Sequence, residues 1–227
     1  MSVPFRDVSF TGFPAAAFEF YDRLAADNSK AFWQANKATF EQDVKAPMVA
    51  LCEELGELGP FHVFRPYNDL RFAKNRPPYK THQGAYAESE GGAGHYVHIG
   101  ADGMLVGAGY YSMAKDQLVR FRAAVDDEGT GSEVARVTAG LAGKGFTIGA
   151  IDELKTAPRG VPKDHPRIEL LRRKGLMASR QFPVEPWMGT KRAVTKLRAT
   201  WATVEPLCAW LDAHVGPSTL PPDESRF

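Results

Sequence analysis

The chain has 227 residues, of which 44% are hydrophobic, 24% charged and 11% aromatic, with a formal net charge of +1 at pH 7. This composition is typical of a globular domain and excludes a disordered, highly charged chain. The near-neutral charge argues against a dedicated polyanion-binding protein. Because no basic segment precedes an apolar run at the N-terminus and no apolar stretch is long enough to span a bilayer, we expect a cytoplasmic protein without membrane contact.

The two cysteines, Cys52 and Cys208, each lie among apolar residues in a helical pattern. We interpret both as reduced thiols in or near the core, which fits a reducing compartment, with a disulfide between them left open. No linker or internal repeat divides the chain. We predict a single domain over residues 1–227, with a core at about 9–215 and a frayed, Pro-rich tail at 216–227.

The N-terminal region shows the spacing of two helices. Apolar residues recur at helical intervals over residues 18–25 and again over 33–55. Pro47 lies inside the second pattern, and it should kink or split that helix because it has no backbone N–H.

Residues 61–111 are expected to form most of a sheet. Segment 66–72 alternates apolar and polar residues, which predicts a strand. On that strand Tyr67, Asp69 and Arg71 would point to one face.

A hairpin is expected immediately downstream. Segments 95–99 and 104–111 are joined by Asp102-Gly103, a favoured pair in tight turns. Gly107 and Gly109 in the second strand indicate a bulge or a close approach of another backbone.

Helical patterns return at 115–126 and 132–141, a short helix opens near 164–171, and a long amphipathic helix covers 189–214. A further strand is expected at 176–182. These elements predict an α+β fold, with a small, mainly antiparallel sheet flanked by several helices.

The strongest candidate for chemistry is the basic, aromatic region from residue 68 to 82. An Asp69–Arg71 ion pair would hold the guanidinium in position for a second, anionic partner. Lys80, Thr81 and His82 would supply further donors, and Tyr79 would line the site. The alternative is a sheet edge with solvated charges.

A second basic region spans residues 154–174. Lys155 and Arg159 lie in a predicted loop, and Asp164 and His165 precede a short helix. Loop amides, an arginine and a helix N-terminus would suit a phosphate or carboxylate. In the alternative interpretation Asp164 only caps the helix and the basic residues form a solvated face.

Tyr110 and Tyr111 end a predicted strand, and Arg120 and Arg122 follow in the next helix. A strand end beside a loop is a common place for functional residues. Tyrosine pairs at such positions more often serve packing.

The six histidines do not predict a metal site. His95 and His98 are three apart on the strand predicted at 95–99 and would point to opposite faces, and no carboxylate or cysteine completes a ligand spacing. We expect no metal and no cofactor, and we find no nucleophile elbow or phosphate loop. Nucleic acid, stacked on Tyr67 or Tyr110 between basic loops, stays open but is not favoured.

Several short motifs resemble the family called domain of unknown function 2461. They are Asn28-Ser29-Lys30-Ala31-Phe32-Trp33, Asp69-Leu70-Arg71-Phe72, Pro78-Tyr79-Lys80-Thr81, Gly107-Ala108-Gly109-Tyr110, and Leu154–Gly160 with Asp164-His165-Pro166. The resemblance covers about residues 9–215. Asn68, where an arginine is usual, and the looser loop at residues 73–76 depart from the family pattern. The resemblance implies a shared pocket at these motifs but no particular reaction.

We therefore expect a pocket for an anionic group, phosphate or carboxylate, on a small molecule or nucleotide. Its donors would be Arg71, Lys80, Lys155 and Arg159, with Asp69 orienting Arg71 and with Tyr79, Tyr110 and His165 lining the pocket. The alternative is a hydrolase or transferase for a phosphorylated or nucleotide-like substrate, in which His165 acts as acid or base with Tyr110 or Asp69. A protein-interaction module without a pocket is a third hypothesis. The ligand, any catalysis and the oligomeric state stay open.

Overall fold

The computed structural model describes residues 9–69, 71, 76–88 and 92–221, and it confirms the α+β fold. Of the helices in these ranges, none is long and apolar enough to cross a membrane. The α-helices are α1 (Ala15–Ala26), α2 (Lys30–Thr39), α3 (Ala46–Glu54), α4 (Lys115–Asp126), α5 (Glu128–Gly143), α6 (Ile168–Leu171) and α7 (Arg192–His214). The strands are β1 (His62–Val63), β2 (His82–Glu88), β3 (Gly94–Gly100), β4 (Gly103–Tyr110), β5 (Thr147–Gly149) and β6 (Leu176–Phe182).

The six strands form one antiparallel sheet in the order β1-β2-β3-β4-β6-β5. The predicted hairpin is present, because β3 and β4 are joined at Ala101-Asp102 and Gly103 opens β4 with a φ of 104°. Only glycine adopts this left-handed conformation readily, which explains the Asp-Gly turn. The last strand, β6, inserts between β4 and β5.

The predicted strand at 66–72 is wrong for the residues that the structure describes there. Tyr67 makes one isolated antiparallel bridge to Tyr79. The described residues around it do not extend this bridge into a strand. Pro66, Pro77 and Pro78 explain this, because proline has no N–H to donate to a neighbouring strand. Residues 73–75 of the loop that departs from the family pattern lie outside the described residues.

Strand β2 was missed because its sequence is unlike a typical strand. Gly84, Ala85 and Ala87 are buried and small, and alanine and glycine have low strand propensity. A β-carbon on Gly84 would lie 2.9 Å from the Tyr96 hydroxyl, so close packing selects glycine at this position. The requirement comes from a neighbouring strand and is not visible in the local pattern.

The chain divides into two compact units. Unit one comprises Met1–Ala87, Tyr96–Val106 and Gln181–Thr200, and unit two comprises Glu88–His95, Gly107–Arg180 and Trp201–Phe227. The predicted domain bounds stay a prediction, and the units are described in turn.

Unit one has an aromatic core beneath its first helices. The ring of Trp33 lies 4.8 Å from Phe40 and 5.9 Å from Phe20, measured between centroids, and all three residues are buried. A π-helical segment at Phe40–Lys45 separates α2 from α3, directly before Pro47. The predicted interruption near Pro47 is therefore present, because the wider turn lets the chain continue where proline cannot donate.

Unit two uses its tryptophans to satisfy backbone carbonyls. Trp201 Nε1 donates to the Gly107 carbonyl at 3.0 Å, and Trp210 Nε1 donates to the Thr130 carbonyl at 3.0 Å. At Gly109, where φ is 128°, a β-carbon would lie 2.4 Å from a carbonyl oxygen of β6. The close backbone approach predicted from the paired glycines is therefore present.

Cys52 and Cys208 are both free and buried. Burial, followed by the charge of neighbouring carboxylates, raises the pKa of each thiol to about 12. Both residues therefore stay protonated, as expected of core thiols without nucleophilic reactivity.

Candidate functional site

Asp69 and Arg71 form a forked ion pair at the surface of unit one. Arg71 Nη2 lies 2.6 Å from Asp69 Oδ2, and Arg71 Nε donates to Oδ1 at 3.0 Å. The Arg71 backbone N–H donates to the same Oδ1 at 3.0 Å. The side-chain hydrogen bonds, followed by the backbone one and the charge of Arg65, hold the pKa of Asp69 well below its usual range. Two parallel contacts fix the guanidinium plane, while the side chain is 73% exposed.

Lys80 lies on the segment that pairs with the one preceding Asp69. Its backbone N–H donates to the Pro66 carbonyl at 2.8 Å, and its Nζ lies 5.1 Å from the centroid of the Phe64 ring. Burial lowers the pKa of the half-buried ammonium, and the nearby charge of Arg65 lowers it further. Arg65 therefore acts electrostatically on both Lys80 and Asp69, which brings three cations and one carboxylate into a single region.

Tyr79 is a buried support rather than an accessible contact. Its ring stacks on Trp33 at 4.3 Å with an interplanar angle of 7°. Asn28 clamps its backbone, accepting from the Tyr79 N–H and donating to the Tyr79 carbonyl, each at 3.0 Å. Tyr67 packs against both rings, with centroids 5.8 Å from Trp33 and 5.5 Å from Tyr79, and it stays 45% exposed. Tyr67 is thus an accessible aromatic side chain of this region.

An imidazole cluster, defined here as His82, His98 and Tyr96, lies on β2 and β3 in the same unit. The two imidazoles stack with centroids 4.5 Å apart, and the Tyr96 hydroxyl lies 2.9 Å from His98 Nδ1. Burial lowers the pKa of His98 to about 3, with a smaller effect of His82, and burial followed by the charge of Lys80 lowers the pKa of His82. Both rings are neutral at pH 7.

Sequence reasoning missed this cluster, although one signal was present. Tyr96 and His98 are two apart on a strand and so share a face. His82 joins them only because β2 pairs with β3, and β2 was not predicted.

In unit two, Tyr110 is buried and anchors a carboxylate. Its hydroxyl donates to Asp212 Oδ1 at 3.0 Å, and the same oxygen accepts the Ala93 backbone N–H at 3.1 Å. Burial, then the hydrogen bond to Asp212, raises the pKa of Tyr110 well above its usual range. Tyr110 therefore stays protonated and serves as a hydrogen-bond donor in the core.

His165 has both ring nitrogens occupied. Its Nδ1 accepts the Arg167 backbone N–H at 3.0 Å, and its Nε2 lies 3.2 Å from Asp126 Oδ1. The first contact assigns the ring proton to Nε2, which then donates to the carboxylate. Acid–base catalysis by His165 would require one of these contacts to break.

Lys155 and Arg159 are exposed residues of the loop between β5 and α6. The base of this loop is held by Arg172, whose Nε donates to the Leu154 carbonyl at 2.6 Å. The Leu154 N–H returns a hydrogen bond to the Arg172 carbonyl at 2.8 Å. The loop backbone is thus anchored, while the two predicted donors lie at the surface.

The eight predicted ligand-binding residues divide equally between the units. Unit one holds Asp69, Arg71, Tyr79 and Lys80; unit two holds Tyr110, Lys155, Arg159 and His165. In unit one the four belong to one paired region, whereas Tyr110 and His165 each have separate partners within unit two. That all eight line one cleft stays a prediction.

Arg167 is a buried charged residue whose role sequence reasoning missed. Its Nε donates to the Val125 carbonyl at 2.7 Å, its Nη2 to the Asp126 carbonyl at 2.9 Å, and its Nη1 to Glu128 Oε2 at 3.1 Å. A β-carbon on Gly131 would lie 2.6 Å from Arg167 Nε, so the guanidinium needs glycine beneath it. Arg167 thereby caps the C-terminus of α4, which suits a cation.

Metal ligands do not converge within the described ranges. No group of three or more His, Cys, Asp or Glu residues there has the spacing to hold an ion.

The six-stranded antiparallel sheet and its helices define an α+β protein, with a basic, aromatic region and a neutral imidazole cluster in unit one. The chain belongs to the family described as conserved hypothetical protein (DUF2461), whose model matches residues 16–210. No curated protein matches the chain.

Proposed function

We propose that unit one binds the phosphate or carboxylate of a small molecule at a site formed by Arg65, Asp69, Arg71 and Lys80. The observation that carries the proposal is the Asp69–Arg71 fork, which fixes the orientation of a guanidinium at the surface. With three cations sharing one carboxylate, the region keeps a positive potential that attracts an anion. Forked guanidinium groups match the geometry of phosphate and carboxylate oxygens.

A nucleotide suits this region better than an inorganic anion. Tyr67 offers an exposed aromatic surface, and Trp33 and Tyr79 support it from behind. Stacking of a base on such a ring contributes about 1–3 kcal/mol. The phosphate would contact Arg71 and Lys80, and the base would pack on Tyr67.

Calorimetric titration of the full chain at matched ionic strength tests this function. The ligands are phosphate, ribose 5-phosphate and adenosine monophosphate, and the nucleotide should bind at least about tenfold more tightly than the sugar phosphate. Arg71→Gln should weaken binding of both organic phosphates. The matched control is Arg198→Gln, because Arg198 is also exposed and pairs with a carboxylate, Glu57, at 2.6 Å. Equal effects of the two substitutions would contradict the site.

A hydrolase or transferase for a phosphorylated substrate is the second candidate, and the imidazole cluster favours it. His82 is neutral at pH 7 and lies close enough to Lys80 for the ammonium to lower its pKa. A neutral imidazole can accept a proton from water or a hydroxyl group, while an ammonium holds the anion. Release of phosphate from adenosine monophosphate, abolished in His82→Gln but retained in Arg198→Gln, would support catalysis. Binding of adenosine monophosphate without any turnover would support ligand binding and contradict catalysis.

The protein-interaction alternative has a smaller basis, in unit two. Tyr111 and Ile151 are 59% and 52% exposed, and the Ile151 N–H donates to the Tyr111 carbonyl at 3.4 Å. If no phosphate ligand binds, a partner captured by the wild type and lost in Tyr111→Ser would support this alternative.

We also propose a cytoplasmic location, supported by the two free thiols.

A further inference from the structure

A cavity of about 320 Å³ lies in unit two between α5, β5 and the segment around α6. The α5 wall consists of small side chains, Ala135, Ala139 and Ala142, which recur on one helix face. Ile148 and Leu170 also line it. Its volume is at the lower end of the range for ligand pockets, and its walls are largely apolar.

Arg173 brings a guanidinium to this cavity with part of its hydrogen-bonding capacity unused. Its Nη1 is buried and, within the residues that the structure describes, has no hydrogen-bond partner. The two carboxylates that act on it electrostatically, Glu153 and Glu169, pair with Arg172 instead, at 3.7 Å and 3.3 Å. Burial lowers the pKa of Arg173, and the two carboxylates oppose that effect. Arg173 as a whole is half-buried, so its charge is only partly desolvated, but its buried Nη1 lacks a partner among the described residues, which is unfavourable.

The other guanidinium in the cavity wall is already satisfied. Arg167 donates to the carbonyls of Val125 and Asp126 and to the Glu128 carboxylate. A ligand would therefore accept hydrogen bonds from Arg173, whereas Arg167 would only line the cavity.

We propose that this cavity binds a small monocarboxylate, whose carboxylate pairs with Arg173 and whose short aliphatic or aromatic group packs on the alanines of α5. The apolar walls favour a ligand with an apolar part. Glu169 also lines the cavity, and its negative charge disfavours a dianion such as phosphate. The site is independent of the anion site in unit one.

The test is calorimetric titration of the full chain with acetate, isovalerate, benzoate, phosphate and neutral isovaleramide. Isovalerate or benzoate should bind with a Kd of about 1 mM, a value expected for so small a ligand, and more tightly than acetate. Isovaleramide should not bind in this range, and any binding of phosphate should be that of unit one, unchanged in Arg173→Met and weakened in Arg71→Gln.

Three variants distinguish this site from other binding. Arg173→Met removes the charge but keeps an unbranched side chain, and Ala139→Leu fills the cavity from an exposed position of α5. Each should weaken isovalerate binding at least tenfold, whereas Arg136→Met, at an exposed arginine of the same helix, should leave it unchanged. Arg173→Met removes a half-buried side chain whose buried Nη1 has no partner among the described residues, so we expect its Tm to stay close to that of the wild type.

The proposal is overturned if no carboxylate binds at about 10 mM, tenfold above the expected Kd. It is also overturned if isovalerate binding survives Arg173→Met, or if Arg173→Met weakens the binding of phosphate as much as that of isovalerate. Loss of binding in both cavity variants, with retention in Arg136→Met, supports it.

Discussion

Replacing Arg167 by methionine should destabilise the protein strongly, because this side chain holds the end of α4. The guanidinium is only 8% exposed, and it donates to the Val125 carbonyl at 2.7 Å and to the Asp126 carbonyl at 2.9 Å. Methionine leaves both acceptors without this donor, at about 1–3 kcal/mol for each fully buried group. The second contact is only partly buried, and Glu128 is 86% exposed, so the ion pair adds little. We expect a loss of about 3 kcal/mol in the free energy of unfolding, or about 6–12 °C in Tm for a chain of this size.

Urea unfolding, followed by circular dichroism, measures the effect as a change in midpoint at constant slope. Arg167→Lys keeps the charge but not the fork, so it should recover less than half of the loss. Arg136→Met, at an exposed position of α5, serves as the control and should stay within about 0.5 kcal/mol of the wild type. If Arg167→Met also stays within that margin, the capping role assigned to the guanidinium is refuted.

Three further substitutions test other parts of the structure. Burial lowers the pKa of His98 to about 3, so below pH 6.5 the unfolded chain binds more protons than the folded chain. The free energy of unfolding therefore decreases as the pH is lowered. Urea titrations should show the wild type losing about 1.2 kcal/mol more than His98→Gln between pH 6 and 5, and parallel curves would contradict this. Asn28→Ala removes both hydrogen bonds to the Tyr79 backbone and should lower the free energy of unfolding by about 1–3 kcal/mol; an unchanged urea midpoint would exclude the clamp. Gly109→Ala places a β-carbon 2.4 Å from the Leu176 carbonyl at a φ of 128°, and thermal denaturation should show a loss above about 2 kcal/mol, whereas wild-type Tm would show that the sheet relaxes.

The residues proposed to bind the ligand in unit one differ in exposure. Arg71 and Tyr67 are accessible, whereas Tyr79 is buried and positions its neighbours. A substitution at Tyr79 would therefore change stability as well as binding. Tests of ligand binding should use Arg71 and Tyr67, where a loss of affinity is not confused with unfolding.

Local patterns in the sequence predicted the features that depend on near neighbours. The Asp102-Gly103 turn, the interruption of the helix near Pro47, and the Asp69–Arg71 pair all follow from residues a few positions apart. The α+β class and the family were also accessible, because helical and alternating patterns and short motifs lie along the chain itself.

Tertiary structure decided what depends on distant neighbours. Strand β2 is rich in alanine and glycine, and at Gly84 the Tyr96 side chain leaves no room for a β-carbon, so its sequence does not resemble a typical strand. His82 meets His98 only through the pairing of β2 with β3. In the sequence, Arg167 is not distinguishable from the other basic residues of the 154–174 region. Its capping of α4 arises from hydrogen bonds to carbonyls about 40 positions away in the chain. Packing and desolvation at such distances leave no periodic signal, which is why the sequence alone could not show them.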